Sequence, residues 1–172
     1  DGAQCMRLGE DILVNVANRN HEMAYQWLNR QFEGQFNFHR LDRMADNHID
    51  SVMMPLRPGL LLLRDRQYLG YLPEGMQGWD VIVFPEPANP YAPIDPALER
   101  LPLASPYLDM NVLSVNEETV IVNALCPALI RTLESHGLRV IPVQHRHGRL
   151  FSGGFHCFTL DTVRRGSREK FL

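Results

Sequence analysis

Apolar positions in this chain come in short runs between turn residues, and one order of runs returns. Residues 12–16 are apolar and β-prone. Residues 21–32 follow, with Met23, Trp27, Leu28 and Phe32 at helical spacing, and Asn20 is placed to cap that helix. Residues 36–41 alternate as a strand does, with Phe36 and Phe38 on one face. The second round has residues 51–54, a turn at Pro58-Gly59 and the leucine run 60–63, which together read as a hairpin. A weak helix is predicted over 66–77, where Gly70, Pro73 and Gly75 count against a regular one. Residues 80–84 return as a strand built on β-branched Val81, Ile82 and Val83.

The third round is the cleanest. Residues 111–115 and 119–122 flank Asn116-Glu117-Glu118 as a hairpin. Pro127 suits the first turn of a helix, which runs to about His136 and stops at Gly137. Residues 139–143 close the round as a strand. Strand, strand, helix, strand thus occurs twice, with a partial copy before. No such unit buries its own faces, so the units are expected to pack as a ring or array. Between the second and third rounds, residues 85–106 hold seven of the twelve prolines. That stretch reads as a surface loop covering a site, or equally as an extended linker, within a single domain spanning 1–172.

Composition adds bounds. Hydrophobic residues make up 45% and charged residues 22% of the 172 residues, which is globular. A net charge of −3 argues against a nucleic-acid partner. The chain has no apolar run of about 18 residues, so no membrane contact is expected. No signal peptide opens it, and starting at Asp1 it reads as the piece of a longer protein. The basic stretch 164–170 reads as a frayed tail. Cys5, Cys126 and Cys157 are odd in number and scattered, which fits reduced thiols in the cytoplasm rather than disulfides or a zinc site.

Three clusters carry candidate chemistry. Gly153-Gly154 precede Cys157, and paired glycines allow close backbone approach or positive φ that would aim the thiol from a strand end. His48 and Asp50 would share a face if their segment were a strand, as acid/base and charge partner or as an ordinary surface pair. Asp1-Gly2-Ala3 is by composition a turn.

Taken together, Asp1-Gly2-Ala3 with Arg7-Leu8-Gly9-Glu10-Asp11, His48-Ile49-Asp50, Pro55-Leu56-Arg57-Pro58-Gly59, Met110-Asn111-Val112-Leu113 and Gly153-Gly154-Phe155-His156-Cys157-Phe158-Thr159-Leu160-Asp161 resemble the arginine amidinotransferases. The Pro-Leu-Arg-Pro-Gly turn is more similar to the inosamine-phosphate branch than to the glycine branch. The resemblance implies an α/β fold: a five-bladed, pseudo-symmetric propeller (pentein) of ββαβ units, of which this chain holds roughly the last two to three. It implies an enzyme that moves the amidino group of L-arginine to an acceptor amine through an amidino-cysteine, releasing ornithine. By resemblance Cys157 is the nucleophile, His48 the general acid/base and Asp1 the carboxylate that orients it. Asp50 holds the guanidinium, Arg66 pairs with the substrate carboxylate across a one-residue gap in the match, and Ser105 lines the site beside Ala104, where relatives have a second serine. An aspartate that helps hold the guanidinium in relatives lies upstream of the matched segment. The acceptor is an amino acid or amino-cyclitol, no metal or cofactor is required, and the full-length protein is expected to be a homodimer.

Three rivals stand beside this. His145, His147, His156 and Cys157 are close enough in sequence to suggest a metal site, although no tight zinc spacing is met. A guanidino hydrolase of the same fold would use water in place of the amine. A non-catalytic arginine-binding fragment would use no chemistry at all.

Overall fold

The structure, a computed structural model, describes residues 1–86, 104–164 and 169–172. Three times the chain forms an antiparallel strand pair and then crosses over to add a third strand parallel to the second. The first unit is β1 (Cys5–Leu8), β2 (Asp11–Val16), α1 (Arg19–Gln31) and β3 (Asn37–Asp42). The second is β4 (Met53–Arg57), β5 (Leu60–Leu63) and β6 (Asp80–Val83). The third is β7 (Leu113–Ser114), β8 (Thr119–Asn123), α2 (Pro127–Ser135) and β9 (Arg139–Val143). Each sheet has three strands in sequence order.

The middle strands carry the core. All four leucines of β5 are buried, as a strand covered on both faces requires. Leu13 on β2 and Val122 on β8 are fully buried, and Met53, Met76, Met110, Leu129 and Leu133 fill the space between the sheets. Gly59 (φ +78°) makes the tight β4–β5 turn, and Gly137 (φ +79°) ends α2 in the left-handed region.

Several expectations are corrected. The first round is a complete unit, because the short β1 pairs with β2 from Cys5 onward. Asn18, not Asn20, caps α1: its side-chain oxygen accepts from the His21 amide at 3.0 Å, which places Asn20 inside the helix. The apolar stripe of α1 is only partly covered among the described residues. Tyr25, Leu28 and Phe32 are half-buried, whereas Met23 and Trp27 are exposed. The second crossover holds two 3-10 turns, Arg66–Tyr71 and Glu74–Met76, instead of an α-helix. Pro73 supplies no amide between them, and the glycines favour the break.

Residues 169–172 are not frayed. Glu169 accepts at its carbonyl from the Glu10 amide at 2.8 Å, and the amides of Phe171 and Leu172 donate to Asp11 Oδ2 at 2.7 and 3.1 Å. Arg164 pairs with Asp161 and donates to the Ser114 carbonyl at 2.8 Å. The rest of the basic stretch, residues 165–168, lies outside the described residues. So does the proline-rich segment over residues 87–103; at its near end Glu86 caps α2, accepting from the Ala128 and Leu129 amides at 2.6 and 3.0 Å.

Candidate active site

Four segments that flank the strand units carry the candidate residues and their partners. Asp1 opens a 3-10 turn, Gly2–Gln4, and its carboxylate does two jobs. Oδ1 accepts from the Ala3 amide at 3.1 Å, which fixes the rotamer, and Oδ2 lies 3.2 Å from His48 Nε2. Both side chains keep solvent contact, so this pair is open to an incoming molecule.

His48 does not stand on a strand. It caps a 3-10 turn, Ile49–Ser51, in which residues two apart diverge. His48 therefore faces Asp1, while Asp50 turns inward and is buried. The predicted shared face of His48 and Asp50 is replaced by two separate partnerships. Ile49 beneath them is 1% exposed and pins the turn to the core.

The carboxylate of Asp50 meets the third cluster. Its Oδ2 lies 2.8 Å from His156 Nδ1 and accepts from the Cys157 thiol at 3.3 Å. Burial alone would raise the Asp50 pKa. The hydrogen bonds from His156, Asn111 and Cys157 outweigh it and hold the carboxyl below its usual range. The thiol responds in the opposite sense: desolvation and the adjacent Asp50 charge push Cys157 up to about 11. In the absence of a cation, then, Cys157 is a protonated thiol donating to a carboxylate.

Cys157 is presented from a turn that follows the short helix α3 (Gly148–Phe151), not from a strand end. The left-handed residue there is Ser152 (φ +55°). The glycines serve close approach instead: a Cβ on Gly154 would sit 2.5 Å from Asn111 Cβ and 2.7 Å from its carbonyl oxygen. Asn111 is itself buried and accepts at Oδ1 from the Cys157 amide at 3.0 Å.

The remaining expected residues are less engaged. Arg66 begins its 3-10 turn exposed, with no polar partner among the described residues. Arg64, two residues earlier, is held over the rings of Tyr68 and Tyr107 at 4.9 and 5.2 Å. Ser105 accepts from the Tyr107 amide at 3.2 Å and is exposed. A cavity of about 450 Å³ borders the His48 turn through Asn47 and Ser51, yet none of Asp1, His48, Asp50 or Cys157 lines it. Of the suggested metal ligands, His145 packs against the rings of Phe155 and Phe158, and His156 is turned to Asp50.

Two neighbours of the thiol were not assigned a role from sequence. His156 stood among possible metal ligands and, like Asn111, as one residue of a matching segment. The glycine pair signals that something packs closely, but not what.

No protein-family model matches the chain. Individual proteins do. Inosamine-phosphate amidinotransferase 1 of Streptomyces griseus is 36% identical over 173 residues, covering 99% of this chain and 48% of the relative. The L-arginine:L-lysine amidinotransferase of Pseudomonas savastanoi pv. phaseolicola is 33% identical over 100% of this chain and 46% of its own length. The solved inosamine-phosphate amidinotransferase StrB1 of Streptomyces griseus superposes with a TM-score of 0.85 at 34% identity, over 98% of this chain and 48% of that one. DDAH from Pseudomonas aeruginosa, at 19% identity and a TM-score of 0.59, shares the fold alone. The three three-stranded units, two of them with a crossover α-helix, are thus blades of the pentein fold, and the chain spans about half the length of the curated relatives it matches. Along nearly its whole length the chain is similar to amidinotransferases, and it matches a stretch equivalent to about half of one.

Proposed function

We propose that the protein carrying this chain is an arginine amidinotransferase that works through an amidino group held on Cys157. The observation that carries the reading is the thiol of Cys157 resting 3.3 Å from the buried carboxylate of Asp50. A planar guanidinium suits such a carboxylate, because paired charge-assisted N–H bonds match its geometry. Bound there, the cation neutralises the charge that keeps the thiol protonated. The thiol proton passes to His48, and the thiolate attacks the guanidino carbon.

The tetrahedral adduct then needs a proton on the departing nitrogen. His48, protonated in the first step and held by Asp1, returns it. The carbon–nitrogen bond breaks, ornithine leaves, and the amidino group stays on sulfur. An acceptor amine attacks the same carbon, His48 takes its proton, and the sulfur departs as thiolate. Charge and protons balance over the two halves, and the chemistry calls on no metal or cofactor. Arg66, exposed and free of polar partners among the described residues, is available for a substrate carboxylate, whereas Arg64 is held by two tyrosines. Ser105 is assigned to the lining of the site beside it. Acceptors are amino acids or amino-cyclitols, the full-length protein is a homodimer, and its setting is a reducing cytoplasm.

The test is product analysis on the full-length protein with arginine and an amine. Ornithine together with an amidinated acceptor supports transfer. Citrulline formed at the same rate with and without the amine would assign the hydrolase reading instead.

A further inference from the structure

Asn111 lies where the chain bends most tightly beside the site. Its backbone (φ −79°, ψ 65°) forms an inverse γ-turn, closed by the Val112 amide donating to the Met110 carbonyl at 2.9 Å. Met110 and Val112 on either side are fully buried, so the bend is anchored in the core. The asparagine itself is 4% exposed, and such an amide must find partners within the protein.

Its partners are the two segments that carry the chemistry. Oδ1 accepts from the Cys157 amide at 3.0 Å, and Nδ2 donates to the Asp50 carbonyl at 3.3 Å. Its own carbonyl accepts from the His156 amide at 3.4 Å. The two ends of the side chain are not interchangeable, because a flipped amide would set donor against donor and acceptor against acceptor. The absent Cβ of Gly154 completes the fit, since any side chain there would occupy the space of Asn111.

We propose that Asn111 is a positioning residue: its amide sets the spacing between the nucleophilic turn at Cys157 and the carboxylate turn at Asp50. The assignment rests on the proposed chemistry only in calling Cys157 the nucleophile; the tie between the two turns stands on geometry. Asn111 touches no reacting atom and acts through Cys157 and Asp50. The Asn111 side chain also acts to lower the pKa of both the thiol and the carboxyl, against the burial that raises them.

The test replaces Asn111 in the full-length protein with Ala and with Asp, the second being nearly isosteric but unable to donate to the Asp50 carbonyl. Cys157 is followed by alkylation with iodoacetamide across pH, without substrate. Both variants are expected to shift the alkylation midpoint upward, lowering the thiolate fraction at a fixed pH roughly three- to tenfold, the worth of a neutral hydrogen bond. Turnover at saturating arginine should fall by at least that factor. If either variant folds with the wild-type melting profile and keeps both the alkylation midpoint and the turnover, the assignment is overturned. If the wild type shows no transfer but the alkylation shift appears, the positioning role stands and the proposed function fails.

Discussion

Asp50 and Cys157 are 107 positions apart in sequence, yet the thiol donates to the carboxylate at 3.3 Å. The pair sets an opposition: the charge that would attract a guanidinium also suppresses the thiolate that would attack it. Replacing Asp50 with Asn removes the charge and should lower the Cys157 pKa from about 11. Alkylation would then begin at lower pH than in the wild type. Transfer at subsaturating arginine should nonetheless fall roughly 10- to 100-fold, because a charge-assisted bond to the substrate is lost. An unchanged alkylation profile would show that Asp50 does not control the thiol.

The three cysteines should separate by reactivity. Cys126 is buried, and desolvation pushes its thiol strongly upward, while Cys157 is exposed and Cys5 only partly so. Under native conditions at mildly alkaline pH, Cys157 is expected to label first and Cys126 only after unfolding. Peptide mapping of a time course reads the order directly, and early labelling of Cys126 would contradict it.

Much of this was legible in the sequence, for identifiable reasons. β-branched and leucine runs bounded by Pro58-Gly59 and Gly137 placed the strands and the end of α2, because those turns have few alternatives. β1 escaped notice since it is four residues long with Arg7 in its middle, and its pairing with β2 decides it. Tertiary contacts were the invisible part. Nothing in the residue types said that His48 and Asp50 would part company at a 3-10 turn, or that His156 would join Asp50 rather than a metal. The resemblance to a family supplied Asp1 as a partner for His48, which composition alone reads as a turn residue.

Asp11 should be a strong stability determinant. It is fully buried and accepts from the Phe171 and Leu172 amides and from Asn37, with His39 Nε2 at 2.9 Å. Burial opposes its ionisation, but these bonds prevail and hold its pKa below the ordinary value. A depressed carboxyl contributes stability that is complete above the unfolded pKa of about 3.9 and is lost as pH falls through the folded value. Asp11→Ala should therefore cost about 3 kcal/mol near neutrality, and the gap to wild type should narrow below about pH 4. Thermal melts of both proteins between neutral and acid pH check this; a gap constant with pH would rule out the ionised carboxylate as the cause.

Gly154 should tolerate no side chain. Gly154→Ala would bring a methyl within 2.5 Å of Asn111 Cβ, and overpacking of this kind costs about 1–3 kcal/mol. Gly2→Ala, where no atom lies within 4 Å, is the control. Denaturant unfolding of the two variants should show a loss in the first only.

The central claim is that Cys157 carries the amidino group. Mass spectrometry of the full-length protein, quenched after incubation with arginine alone, measures it most directly. An amidino adduct confined to the Cys157 peptide, absent in Cys157→Ser and discharged on adding an acceptor amine, is the predicted result. Transfer to an acceptor without any adduct on Cys157, or an adduct that persists in Cys157→Ser, would contradict the account.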